Sequence, residues 1–303
     1  MTINMKNILV VGPTASGKSG FAKAVQSRAG GTIVNADSCQ VYQDVPILSA
    51  QPQLKDLKQT PHALYTFIPP DHSYSVGQYL DDVHTLQNTK LLTPLTFVGG
   101  TGLYLSALTK GLDVGPSSAE IRNKAHEDAK QLGHDVIYQR LQKAAPNFSV
   151  HPNNHQRLLR AYEIYLAEKQ ETAPSETQLK LPPLTEVYVI LLNPPADALR
   201  QKIKSRLGQM MEEGALDEIE ALKRKYPNLG TTAQKIIGVK ELSDYLDGKG
   251  TLADAQERIY IRTCQYAKRQ RTWFRHKISV DKVIDTAWDL ADVKEVVQKI
   301  TCP

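Results

Sequence analysis

Cysteine is scarce in this chain of 303 residues: Cys39, Cys264 and Cys302 lie far apart and form no C-x-x-C pair. That spacing supports neither a zinc site nor a disulfide framework, so reduced thiols are expected. Long apolar runs are also missing. The four residues Ile8–Val11 are the longest apolar run near the N-terminus, too short for the core of a signal peptide. No stretch approaches the ~20 apolar residues a membrane helix requires. A cytoplasmic protein without a membrane partner is therefore expected. Internal repeats and low-complexity tracts are absent. Apolar residues make up 41% and charged residues 23%, an ordinary globular balance, and the length suits one large domain plus a smaller one.

One further absence is local. From Arg258 to Lys277 there is no Asp or Glu but seven Lys/Arg, so this segment holds +7 while the whole chain carries only +5. On a helix at 100° per residue, Arg258, Arg262, Arg269 and His276 fall on one face and Tyr260, Cys264, Ala267 and Phe274 on the other. Such a ridge is either a solvated charged face or a contact for phosphates of a nucleic-acid backbone. Trp273 and Tyr266 beside it either stack on a base or pack internally.

What is present is most specific at residues 12–19, Gly-Pro-Thr-Ala-Ser-Gly-Lys-Ser, preceded by the strand-like run Ile8–Val11. This is a complete phosphate-binding loop. Along Gly12, Pro13, Thr14, Ala15, Ser16 and Gly17 the available backbone N–H groups can curl around a di- or polyphosphate, Lys18 can reach its outer oxygens, and the Ser19 hydroxyl can ligate Mg²⁺. A helix following from Lys18 points its positive end at the same anion.

Strand-like runs recur at Ile8–Val11, Thr32–Asn35, Leu95–Val98 and Val187–Leu192, with helical patterns between them. That rhythm predicts an α/β fold, a doubly wound parallel sheet of the P-loop type flanked by helices. Residues 116–182 contain no convincing strand; Ala119–Leu132, His134–Ala144 and Asn154–Lys169 read as amphipathic helices bounded by Gly115-Pro116 and the proline-rich region from Pro174. The expected organisation is a catalytic core of 1–115 and 183–303 with an all-helical insertion of 116–182. Helices are expected at Ala196–Lys225, Thr232–Leu246, Leu252–Trp273 and Asp289–Ile300. In an open parallel sheet, ligands bind outside the carboxyl ends of the strands. Asp37, after the second strand, is thus placed either to accept a proton or hold Mg²⁺ through water, or to cap a turn. Gly99-Gly100-Thr101-Gly102 follows the third strand, where glycines permit close approach and Thr101 caps a helix or bonds a ligand. Arg206 offers a cation to a leaving phosphate or forms a surface ion pair.

The blocks Gly12–Ser19, Asp37-Ser-Cys-Gln-Val-Tyr42, Val98-Gly-Gly-Thr-Gly-Leu-Tyr104, Arg206…Met210…Gly214, Gly238…Lys240-Glu-Leu242 and Tyr266-Ala-Lys-Arg-Gln-Arg-Thr-Trp-Phe274 together resemble the tRNA dimethylallyltransferase (tRNA isopentenyltransferase) family. The resemblance implies transfer of a dimethylallyl group from dimethylallyl diphosphate to the exocyclic N6 amine of the adenosine 3′-adjacent to the anticodon, with release of diphosphate. It makes Asp37 the general base and Lys18, Ser19, Thr14 and Arg206 the diphosphate and Mg²⁺ contacts. Thr101 joins the catalytic set. Asp37, Ser38, Cys39 and Gln40 would contact the flipped adenosine. Gln156, Arg157, Leu158, Leu159 and Arg160 would grip the anticodon stem-loop, with Arg262 and Arg269 as further tRNA contacts. Gln51 stands where this family carries a lysine, Ala63 lies in a segment lacking its second histidine, and Val239 replaces a common tyrosine. No zinc-finger-like extension follows residue 290, which points to the bacterial form, and nothing demands a partner chain, so a monomer is expected. A P-loop small-molecule kinase and an isopentenyltransferase acting on free AMP are the alternatives; the basic segment argues against both, and the helical insertion against the second.

Overall fold

The structure, a computed structural model, describes residues 5–89, 93–114, 118–169 and 179–301. Cys302 and the expected boundaries at Gly115-Pro116 and Pro174 lie outside these. The chain forms two compact units, Met1–Gly111 with Pro183–Pro303, and Leu112–Pro182.

The first unit is built on β1 (Asn7–Val11), β2 (Thr32–Asn35), β3 (His62–Ala63), β4 (Leu95–Gly99), β7 (Val187–Leu192) and β8 (Lys282–Ile284). They form one sheet in the order β3-β2-β4-β1-β7-β8. Every pairing is parallel, with Val10 opposite Val98 of β4 and Ile190 of β7. The strands read as short apolar runs because both faces are covered. Helices α1 (Lys18–Ala29) and α12 (Leu290–Thr301) close one face. Phe21, Val25, Val293, Val296 and Ile300 pack there onto Ile8, Val10, Ile190 and Leu192, all buried. Also in this unit are α2 (Leu54–Gln59), α3 (Val76–Asn88) and α4 (Gly102–Lys110). Ser75 and Gln78 form a capping box at the start of α3. Tyr79 of α3 stacks on Tyr104 of α4 at 3.9 Å between ring centroids and donates its hydroxyl to the Asn35 carbonyl at the end of β2.

The later helices differ from the sequence expectation at glycines. The run 196–225 is two helices, α8 (Ala196–Glu212) and α9 (Ala215–Lys225), and 232–246 is a 3₁₀ turn at Ala233–Lys235 followed by α10 (Val239–Leu246). Gly214 has φ +96° and Gly238 φ +107°, backbone states that stop a helix and favour glycine. At Gly238 a side chain would also strike Leu48, whose Cδ2 lies 2.6 Å from the Cβ position. Helix α11 (Leu252–Lys277) starts at a Thr251–Asp254 capping box and runs four residues beyond the expected end at Trp273.

In the second unit α5 (Ala119–Leu132), α6 (His134–Ala144) and α7 (His155–Lys169) surround Ala125, Ile137, Leu141, Leu158 and Tyr162. This unit is not wholly helical: β5 (Leu112–Val114) and β6 (Leu179–Leu181) pair antiparallel at its two chain ends. Three-residue strands lack the length to show periodicity in sequence.

Candidate active site

Three loops meet at the carboxyl ends of β1, β2 and β4, the crevice where the strand order reverses. The first is the phosphate loop. Lys18 Nζ lies back along it, donating to the carbonyls of Gly12 (2.9 Å) and Pro13 (2.8 Å). Burial depresses the Lys18 pKa to about 8; the Asp37 carboxylate opposes that shift and the Arg206 guanidinium adds to it. An ammonium so placed gains from any incoming polyphosphate. The second loop follows β2. Asp37 takes the turn role, its Oδ1 accepting the Cys39 backbone N–H at 3.0 Å as in an Asx turn, and the residue also lines the cavity. Asn35 holds this turn, accepting the Asp37 N–H at 2.8 Å and donating to the Asp37 carbonyl at 2.9 Å.

The third loop, Gly99–Gly102, is tied to the second. Thr101 sits at the start of α4 yet makes no side-chain cap there. Instead its Oγ1 accepts the Ser38 N–H (2.9 Å) and donates to Ser38 Oγ (3.2 Å). Gln40 is likewise a loop tie, its amide donating to the carbonyls of Ser49 and Ala50 at 3.0 and 2.8 Å. Cys39 lines the cavity with its thiol pKa pushed up, chiefly by burial and then by the Asp37 charge, so it stays a neutral thiol.

Helix α8 brings Arg206 across the loop, with Nη1 3.5 Å from Thr14 Oγ1. Desolvation lowers its pKa while Asp37 and Glu213 raise it; a guanidinium stays charged regardless. Two adjoining cavities, about 350 and 430 Å³, share walls at Thr14, Ala15, Asp37, Ser49 and Arg206. The smaller follows the phosphate loop. The larger is walled by Leu48, Ile203, Leu207, Met210, Ile236 and Ile259. Glu218 of α9 fixes the loop that carries Leu48, its carboxylate accepting the N–H groups of Ile47 (2.7 Å) and Leu48 (3.0 Å).

Ser19 is exposed in the smaller cavity and its hydroxyl has no protein partner among the described residues. No group of three or more His, Cys, Asp or Glu poised for a metal occurs among them either. One hydroxyl with a carboxylate, Asp37, in the same cavity fits a Mg²⁺ that takes most of its ligands from phosphate oxygens and water.

The basic ridge on α11 differs from the helical projection of its sequence. Its buried side is Ala255, Ile259, Ala267, Gln270 and Phe274, with Tyr260 and Cys264 only half-buried. Arg262 is not part of a free ridge: it pairs with the buried Glu241 of α10. Glu241 also accepts the Gly238 N–H at 2.9 Å. Arg258, Arg269 and His276 are exposed, and Arg269 lies 5.9 Å over the Tyr266 ring beside the larger cavity. Trp273 packs internally, 2.7 Å from the position of a Gly102 Cβ. The residue that sequence reasoning missed is Gln270. It is buried, accepts the Thr14 N–H at 2.8 Å and donates to the Gly100 carbonyl at 2.9 Å.

In the second unit, Gln156 and Arg157 are exposed, whereas Leu158 is fully buried in that unit's core and so offers no side chain to a ligand. Leu159 is half-buried and Arg160 bonds Glu163 at 2.6 Å. Gln51 is a buried loop tie donating to the Tyr42 carbonyl at 2.6 Å, Ala63 lies in β3, and Val239 is a buried first residue of α10.

A phosphate loop opening onto an apolar cavity, with a carboxylate at the junction, defines a P-loop group-transfer enzyme. The profile of the IPP transferase family matches residues 40–277, and that of the isopentenyl transferase family residues 5–66. A tRNA dimethylallyltransferase of Chelativorans sp. (strain BNC1) is 37% identical, covering 90% of this chain and 96% of its own. One from Bartonella quintana is also 37% identical, over 93% and 95%. The full-length tRNA isopentenylpyrophosphate transferase of Bacillus halodurans superposes with a TM-score of 0.68 at 31% identity, covering 98% of this chain and 95% of that one. A eukaryotic dimethylallyltransferase acting on tRNA gives 0.75 at 29% identity, over 95% and 75%. The chain belongs to the IPP transferase family.

Proposed function

We propose that the chain transfers a dimethylallyl group from dimethylallyl diphosphate to the N6 amine of the adenosine 3′-adjacent to the anticodon of tRNA, releasing diphosphate. The observation that carries this reading is the continuity of the phosphate loop with an apolar cavity across Asp37. A diphosphate with a short hydrocarbon tail matches both halves.

The adenine amine is a poor nucleophile, so it needs a base as its N–C bond to the allylic C1 forms. Asp37 takes the amine proton. The C1–O bond breaks with its electron pair on the diphosphate, and that growing charge meets the amides at the start of α1, Lys18 and Arg206. Mg²⁺ held through Ser19 and diphosphate oxygens would add positive charge there. Exposed Arg269 and Arg258 contact RNA phosphates, and Gln156 and Arg157 of the helical unit take the anticodon stem-loop. No helix among the described residues is long and apolar enough to cross a membrane; a cytoplasmic location and a monomeric state are part of the proposal.

Labelled dimethylallyl diphosphate incubated in parallel with undermodified tRNA, with AMP and with neither tests the reading. Label on tRNA supports it. Label on AMP transfers the activity to the free nucleotide, and ATP turnover without label in either would make the protein a kinase.

A further inference from the structure

The apolar stripe of α11 is interrupted by one buried polar side chain, Gln270, 5% exposed. Burying an amide costs free energy unless its hydrogen bonds are made. Both are: Oε1 takes the Thr14 N–H of the phosphate loop and Nε2 donates to the Gly100 carbonyl. Only this orientation of the amide satisfies both partners. A Cβ on Gly100 would occupy the place of Gln270 Nε2, so the glycine is what admits the contact. Beyond Gly100 the chain of bonds continues: Thr101 holds Ser38, and Ser38 adjoins Asp37. One side chain therefore joins the diphosphate cradle to the loop that leads to the proposed base.

We propose that Gln270 is a positioning residue that sets the distance between the bound diphosphate and Asp37, and so between the allylic carbon and the amine that attacks it. This rests on the transfer reaction proposed above. Gln270 stands in the wall of the smaller cavity, but both ends of its amide are taken by backbone, so it acts through Thr14 and Gly100. Displacing a reacting atom by about 1 Å costs on the order of 10²-fold in rate, so its loss is expected in kcat rather than in KM.

The test uses the full chain with Gln270→Leu and Gln270→Glu, each with and without Asp37→Asn. Gln270→Leu is expected to lower kcat about 10–100-fold at saturating tRNA and dimethylallyl diphosphate, with KM for both changed less than about threefold. Gln270→Glu keeps the acceptor for Thr14 but loses the donor to Gly100, and should fall between wild type and Gln270→Leu. In the Asp37→Asn background the Gln270→Leu effect should shrink, because the distance it controls no longer serves a base. Effects that simply multiply, or a wild-type kcat in a folded Gln270→Leu, would overturn the proposal. Should Gln270→Leu not fold, the same comparison is made with Gln270→Glu. Hydrogen exchange at the Thr14 amide separates this idea from the activity: it should quicken in Gln270→Leu even if wild-type protein labels no tRNA. Unchanged exchange there would sink the clamp itself.

Discussion

At the scale of single residues, Asp37 and Lys18 carry opposite burdens. Asp37 already commits one oxygen to its own turn, which fixes the carboxylate without occupying both oxygens. Asp37→Asn preserves that bond and removes basicity. The expected result is a loss on the order of 10²–10⁴ in turnover with tRNA affinity unchanged, checked by single-turnover labelling beside a filter-binding assay. Lys18 is the pH-sensitive partner. Its pKa in the folded chain is about 8, against 10.5 for an ordinary lysine. The folded state therefore binds its proton less well than the unfolded one. Below about pH 8 the full cost of the buried charge is present, and it is relieved as pH rises towards 10.5. A bound diphosphate restores the counter-charge, so binding above pH 8 takes up as much as about one proton per site. Calorimetry with dimethylallyl diphosphate at about pH 9, in buffers of different ionisation heat, should detect that uptake. It should vanish near pH 7 and in Lys18→Ala, and affinity should weaken above about pH 8.

At the scale of the element, α11 has two proposed jobs on two faces, and only one was legible in the sequence. The charge run located the helix and its exposed arginines. It could not reveal that Arg262 is paired, because its partner Glu241 lies on another helix and is 21 residues away. Helical periodicity also treats a glutamine as surface, so the pattern assigns Gln270 no role. The phosphate loop, the four long strands and the insertion's three helices were legible because each is local: a contiguous motif, an apolar run or an amphipathic repeat. The breaks at Gly214 and Gly238 depend on how the following segment packs, which local pattern does not contain. Separate variants distinguish the faces. Arg258→Gln with Arg269→Gln should leave thermal stability alone and flatten the salt dependence of tRNA binding by roughly 0.7–0.9 log units for each phosphate no longer neutralised. Arg262→Gln should instead destabilise the protein by about 1–3 kcal/mol, since it strands a buried carboxylate whose other bond is a single backbone amide. Thermal or urea denaturation reads that difference, and an unchanged midpoint in Arg262→Gln would restore it to the surface ridge.

At the scale of the whole molecule, the catalytic unit is discontinuous in sequence and the helical unit is not. The two stems of the catalytic unit come together where the Leu184 N–H meets the Leu108 carbonyl at 2.8 Å. Replacing Leu112–Pro182 by a short glycine linker should therefore keep the sheet folded and its affinity for dimethylallyl diphosphate within about threefold. Transfer to tRNA should be lost, with the circular-dichroism spectrum reporting the missing helices. Persistent, efficient tRNA labelling by that shortened chain would remove the helical unit from recognition. The helical unit has its own core, and Leu158→Ala should cost it about 2–5 kcal/mol while leaving the diphosphate site untouched.

Strand β1 lies between β4 and β7, and β7 begins only at Val187, after the insertion. While a ribosome is still making residues 112–182, the strand that carries the phosphate loop is an open edge, apolar on both sides and ready to pair with a neighbouring chain. The loop does not acquire its Gln270 support until α11 has emerged. Newborn copies should thus depend on chaperones until β7 has emerged, and premature termination before Val187 leaves that edge uncovered in an aggregation-prone fragment.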